Sequence, residues 1–257
     1  MTSVQAWTHR TVRTGMEWAG GLVMDRLATE PVAVPRAAAP GATVVLVGGV
    51  AATMPVMAPT ARMLAARGHH VSVVTDGMGV GCAGRAAETL ADRVETCAEE
   101  AGRPVHLVGH SRGGQFARVA ATHAPRAVAS LTTLGSPLAM YGLAPVALGL
   151  GAMVTLGGTL GVPGLATVAC LLGACCRDYR AALGTDWTVG IPFTSIVGAA
   201  DRTVPGPANR VPGAREVVVE GDHLQLLTTG PAHLALAEAL DRADRSDQDA
   251  ARSRISA

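Results

Sequence analysis

The chain has 257 residues, 49% of them hydrophobic and only 3% aromatic, with a formal net charge of +1. This length suits one large α/β unit with a core of Ala, Val and Leu. The near-zero charge gives no electrostatic basis for nucleic acid as a partner. All 21 basic residues are arginine, which with the abundant Ala and Gly reads as GC-rich coding bias and not as function.

The first thirty residues scatter Arg10, Arg13, Glu17, Asp25 and Arg26, and their longest uncharged run is too short for a secretory signal. Trp7, Met16, Leu22, Val23 and Leu27 could line a helix face that docks on the main domain or rests on a membrane surface. "PVAVPRAAAPGA" reads as a linker, so residues 1–42 form an N-terminal helix and connection. "TVVLVGG" is a wholly apolar run ended by glycines, the mark of a buried parallel strand. A helix over 57–68, a strand over 70–76 and an amphipathic helix over 83–102 follow. "PVHLVG" is a third strand, leading into the helix "RGGQFARVAATHA". Strands over 127–135, 192–198 and 215–221 and a helix over 231–243 complete the pattern, and the polar residues 246–257 read as a flexible tail. Strands alternating with helices predict an α/β fold, a mostly parallel sheet covered on both faces. Its core comprises residues 43–136 and 187–245, interrupted by an apolar insertion over 137–186.

Five cysteines, Cys82, Cys97, Cys170, Cys175 and Cys176, show no CxxC and no zinc-finger spacing. They suggest reduced, mostly buried thiols in a cytoplasmic protein, with a Cys170 disulfide as the lesser alternative. Neither a metal nor a cofactor is expected.

Gly109, His110, Ser111, Arg112 and Gly113 match G-x-S-x-G. The pattern is weak alone in a chain this rich in glycine. Its setting between a strand and a helix strengthens it. Such a turn strains the serine, lifts its hydroxyl above the sheet edge and aims helix N–H groups at a developing oxyanion. A phosphate-binding turn or plain packing is the bland alternative. A serine nucleophile needs a base. Of eight histidines, His223 follows the last strand in "VVVEGDHLQLL", while His233 suits capping or packing and His110 points elsewhere. The base needs an acid to hold its tautomer. Asp201 follows the fifth strand; Asp222 is a poorly directed competitor, and Asp178 and Asp186 lie in the insertion. The N–H groups of Arg112 and Val50 are the candidate oxyanion donors. A nucleotide-binding role for Gly48 and Gly49 is weaker, because no G-x-G-x-x-G is present.

These residues together resemble the α/β-hydrolase superfamily. Within it, "VGHSRGGQFARVAA", "LTTLGSPL" and "PFTSIVGAADRTVP" look like lipase and esterase-like hydrolases common in actinobacteria. The resemblance covers roughly residues 43–242. It implies a Ser-His-Asp hydrolase with Ser111, Asp201 and His223 as triad, Val50 and Arg112 as oxyanion donors, and a cap inserted between late strands. Two departures stand out. Gly48-Gly49 replaces the usual His-Gly or Pro-Gly before the oxyanion residue, and Gly-Asp-His replaces Gly-His before the triad histidine.

Residues 127–176 contain no charged residue and no histidine. Within them, Pro137 to Cys176 is long enough to span a bilayer, but its glycines, its prolines and its place between two strands of one sheet favour a cap over the serine. Met140, Tyr141, Leu148, Leu150 and Met153 are the candidate substrate-lining residues. Burial against the domain, a homodimer through the cap and membrane contact are the alternatives. The leading expectation is hydrolysis of an ester or thioester with a hydrophobic acyl group. A natural-product tailoring enzyme using acyl transfer, cyclisation or elimination is the second, and a non-catalytic binding module the third.

Overall fold

The computed structural model describes residues 34–75, 79–138 and 143–255. The N-terminal helix and the candidates Met140 and Tyr141 lie outside them. Six strands form one parallel sheet in the order β2-β1-β3-β4-β5-β6. They are β1 (Thr43–Val47), β2 (His70–Val74), β3 (Val105–His110), β4 (Val128–Leu134), β5 (Phe193–Gly198) and β6 (Arg215–Val219). The chain order thus reverses once about β1, with β3, β4 and β5 running on to the far edge. The inner strands are almost wholly buried, whereas the edge strands β2 and β6 are only partly so. Burial on both faces accounts for the apolar run of β1, while β3, β4 and β5 admit a few small or hydrogen-bonding polar residues such as Ser130 and His106.

Helices α1 (Met54–Ala66), α2 (Ala83–Ala101) and α3 (Arg112–His123) follow β1, β2 and β3, and α7 (Gly230–Ile255) closes the described chain. Between β4 and β5 lie α4 (Pro145–Thr159), α5 (Val168–Leu172) and α6 (Arg177–Gly184). One core packs α2, α3 and α6 against one sheet face through residues such as Leu90, Val94, Val119 and Leu183. The other packs α1 and α7 against the opposite face through Met57, Leu64, Leu236 and Leu240. Helix α7 runs well past the Ala243 stop read from the sequence. No glycine or proline interrupts residues 232–255, and the alanine- and arginine-rich composition favours continued helix, so the tail expected from residue 246 is helical through Ile255.

The segment read as a free linker is fastened to the domain. Arg67, 2% exposed, ends α1 and donates to the Pro35 carbonyl at 2.5 Å and to Asp241 Oδ1 of α7 at 2.7 Å. The same carboxylate oxygen accepts the Ala38 N–H at 3.0 Å. Removing the acid strands a buried guanidinium. Asp241→Asn is expected to lower unfolding free energy by about 2–3 kcal/mol, the low side of such losses because the carboxylate is partly exposed. Urea unfolding would check this, and a change under ~0.5 kcal/mol would remove the clamp from the stability account.

Candidate active site

The G-x-S-x-G turn joins β3 to α3. Ser111 has φ +55° and ψ −131°, one of two described non-glycine residues with positive φ. Holding a side chain there costs about 1–3 kcal/mol, supplied by the surrounding packing. The turn is tight because its glycines leave no side chain in the way. A Cβ on Gly113 would lie 2.4 Å from the Val47 carbonyl oxygen, and one on Gly109 2.4 Å from Gly114 Cα. Helix α3 can therefore press onto the ends of β1 and β3, which lifts Ser111 above the sheet edge.

Two loops at the same edge bring the other groups. His223, in the loop after β6, receives the Ser111 Oγ–H at Nε2 (2.9 Å) and donates its Nδ1–H to Asp201 Oδ2 (2.8 Å). Asp201 follows β5, and its side chain is fully buried. Its other oxygen accepts the N–H groups of Thr203 (2.8 Å) and Val204 (2.9 Å). Burial alone would raise its pKa, but the hydrogen bond from His223 and those from the two backbone amides outweigh it and hold the carboxyl below its ordinary value. Gly135, at φ +53° just after β4, lies beneath this pair. A Cβ there would sit 2.9 Å from Asp201 Oδ2 and 3.2 Å from His223 Nδ1, so any side chain would part them.

Arg112 is the first residue of α3, and its N–H has no partner within the helix. The Gly49–Val50 turn lies against it. A Cβ built on Gly49 would be 2.9 Å from the Arg112 nitrogen and 2.8 Å from Ser111 Cβ. The N–H groups of Val50 and Arg112 thus belong to two segments that meet beside the Ser111 hydroxyl.

The competitors serve elsewhere. Asp222 accepts the N–H groups of Leu224 and Gln225, capping its own turn. His233 contacts the Leu227 carbonyl oxygen through Nε2 at 3.0 Å. Asp178 sits in the first turn of α6, and the charge of Asp186 acts on Arg118.

Three residues carry roles that their sequence positions did not announce. His110 points into the site and not away from it. Its ring centre is 4.8 Å from that of His223, and its Nε2–H donates to the His223 carbonyl oxygen at 2.9 Å. Arg118, on α3 and 1% exposed, donates to the carbonyls of Leu138, Leu183 and Thr185, the two ends of the insertion. The guanidinium of Arg112 lies over the Phe116 ring and donates to the Gly81 carbonyl at 3.3 Å. The Arg112–Phe116 pair is local, four residues apart on α3, but the carbonyls these three side chains reach lie 20 or more residues away, where no local pattern signals them.

The insertion differs from the expected roof. Val146, Leu150 and Met153 on α4 are 86%, 57% and 71% exposed, and Leu148 is 39% exposed. Leu148, Leu150 and Met153 line neither of the two described cavities. A helix apolar on every side buries only the side that meets the domain, here Thr155 and Gly158. The larger cavity, about 380 Å³, opens instead beside Gly48 and is lined by Val74, Leu90, Phe116 and Leu165 with Cys82 and Arg85 at its polar side. Among the described residues, no helix is long and apolar enough to cross a membrane.

Residues 42–151 match the model of a family described as the alpha/beta hydrolase fold. The chain has the α/β-hydrolase fold. No curated protein sequence matches this α/β-hydrolase. Among solved structures, it is similar to the mature lipase BlEst2 of Bacillus licheniformis, with a TM-score of 0.55 and 20% identity over 82% of this chain and 96% of that one. A monoacylglycerol lipase of Paleococcus ferrophilus gives a TM-score of 0.54 and 18% identity, covering 79% of this chain and 97% of the other. A thermophilic esterase of Thermogutta terrifontis gives 0.54 and 18%, covering 79% and 91%. At these identities the likeness establishes the shared fold.

Acid should destabilise this α/β-hydrolase through its buried histidines. Burial, reinforced by the neighbouring His223, takes His110 down to about 3. Burial also lowers His69 and His233. The unfolded chain binds protons at these rings near pH ~6.5 while the folded chain does not. Stability is therefore full above about pH 6.5 and falls as pH drops toward about 3 for His110. Thermal scans from pH 7 to 5 should show a falling Tm. His110→Gln, which keeps a donor for the His223 carbonyl, should make that fall shallower. An unchanged slope would sink the assignment.

Proposed function

We propose that this α/β-hydrolase is a serine hydrolase that cleaves an ester or thioester with a hydrophobic acyl group. The observation that carries the reading is the continuous line Ser111 Oγ–His223 Nε2–His223 Nδ1–Asp201 Oδ2, with both hydrogen bonds under 3 Å. Ser111 Oγ attacks the acyl carbon while His223 Nε2 takes its proton. Asp201 holds the imidazole in the receptive tautomer and stabilises the imidazolium. The N–H groups of Val50 and Arg112 receive the oxyanion, aided by the N-terminus of α3. His223 then protonates the departing alcohol or thiol. Water, deprotonated by the same ring, releases the acid and restores Ser111.

The hydrophobic acyl part is supported by the cavity beside Gly48 and by the exposed apolar face of α4. The first residues of that helix are held close to Asp201, since the Ala144 N–H donates to the Thr203 carbonyl at 3.0 Å. The five cysteines, none of them in a disulfide, support a reducing, cytoplasmic setting.

Treatment with a fluorophosphonate, followed by peptide mass spectrometry, tests the nucleophile; the phosphonyl adduct should map to Ser111 alone. A p-nitrophenyl ester series tests the acyl site. Leu165→Trp, which fills the cavity, should lower kcat/KM for long acyl chains by ~10-fold or more while sparing acetate. Labelling at another residue would overturn the mechanism, and an unchanged chain-length profile would overturn the cavity's role.

A further inference from the structure

Away from the triad, four of the five cysteines meet at one point. Cys82 precedes the first turn of α2, Cys170 lies on α5, and Cys175 and Cys176 lie in the short turn between α5 and α6. Their four Sγ atoms all lie within 4.8 Å of one another. The Cys82–Cys176 separation is 3.5 Å and the Cys175–Cys176 separation 3.8 Å. The fifth, Cys97, is buried in the core. Chain spacing hides this group, because eighty-odd residues separate Cys82 from the rest and no CxxC marks it.

The distances favour an ion at the centre over bonds between sulfurs. With metal–sulfur bonds of ~2.3 Å, the edge of a sulfur tetrahedron is about 3.8 Å. Disulfides use thiols in twos, whereas Cys176 here approaches both Cys82 and Cys175. An iron–sulfur cluster would hold its thiolates farther apart, around a core of several atoms. Among the described residues the donor group is these four cysteines, all sulfur. Such an all-sulfur set selects a soft or borderline cation and rejects magnesium and calcium. A backbone donor faces the group. The Gly84 N–H donates to Cys176 Sγ at 3.4 Å, and the start of α2 directs its dipole at the group. Gly84 is required for this approach, since a Cβ there would lie 2.8 Å from the Cys175 carbonyl oxygen.

We propose that Cys82, Cys170, Cys175 and Cys176 bind one zinc ion in a closed tetrathiolate site that fastens the insertion to the hydrolase core. Four protein ligands leave no open position for substrate, so the ion is structural. Its neighbours extend the fastening on both sides. The Ala166 N–H of the insertion donates to the Val80 carbonyl at 2.8 Å. The Gly81 carbonyl, one residue before Cys82, accepts from Arg112, the neighbour of Ser111. The site also borders the cavity beside Gly48, through Cys82.

The test is elemental analysis of the full chain, produced in zinc-supplemented medium and purified under reductant. About one zinc per chain is expected. Cys97→Ala should retain it, and Cys82→Ser/Cys175→Ser should lower it by at least ~10-fold. If the double variant does not fold, the wild-type protein still decides. Exchange of cobalt(II) into it should give the intense visible and near-ultraviolet bands of tetrahedral cobalt bound by thiolates. Zinc at background level in reduced wild-type protein would overturn the proposal. So would cobalt spectra of octahedral, oxygen-ligated type, equal zinc loss in Cys97→Ala, or an intact mass showing these four thiols joined as two disulfides.

Discussion

Ser111→Ala is expected to lower kcat on p-nitrophenyl esters by at least ~10⁴-fold and to abolish fluorophosphonate labelling. The alanine leaves nothing for His223 Nε2 to deprotonate, and no acyl-enzyme can form. Structure should be preserved, because Ser111 makes its one described side-chain hydrogen bond to His223, and its backbone N–H to the Leu134 carbonyl is unaffected. A Tm close to wild type would show that the loss is chemical. Any residual rate should come from the donors at Val50 and Arg112 acting on water attack, so it should resist further loss when His223 is also replaced. Turnover within ~10-fold of wild type would remove Ser111 from the mechanism.

Asp201→Asn should lower kcat by roughly 10²–10⁴-fold with little change in KM. The size follows from which way the amide must point. The Thr203 and Val204 N–H groups both face Oδ1, so the amide oxygen belongs there and the NH₂ faces His223. That NH₂ can only donate, which turns His223 Nδ1 into an acceptor and moves the ring proton to Nε2. The ring then has no lone pair for the Ser111 hydroxyl. Nitrogen-15 NMR of the His223 ring should show the proton shifted from Nδ1 to Nε2, and an unshifted tautomer with normal turnover would disprove this role. Because the carboxyl of Asp201 is held below its ordinary value, Asp201 should stay ionised at neutral and mildly acidic pH.

The parts of this molecule readable from the chain are those whose causes lie within a few residues. Glycines close the apolar runs of β1 and β3, and the G-x-S-x-G turn needs Gly109 and Gly113 where they stand. Asp201 and His223 follow strands of a parallel sheet, so their arrival at one edge follows from topology. The rest depends on encounters between distant segments. The loop after β6 lies over β3, which turns His110 toward the His223 carbonyl. The insertion folds back on α2, which gathers Cys170, Cys175 and Cys176 around Cys82. The apolar composition of the insertion announced burial, yet α4 is apolar on all sides, and composition alone does not say which side meets the domain.

Helix α7 brings acids to bases that were laid down much earlier. Asp241 meets Arg67 from 174 residues away, and Asp244 lies 3.2 Å from the buried His106, 138 residues away. During synthesis the first half of the sheet therefore leaves the ribosome with an arginine destined for the interior and no anion to accompany it. Until α7 emerges, the Arg67 guanidinium has only a backbone partner, the Pro35 carbonyl. A chain truncated before residue 241 would lack these contacts and is expected to be cleaved faster than the full chain in limited proteolysis. Helix α7 thus supplies, late in the chain, the counter-charge for an interior arginine laid down early.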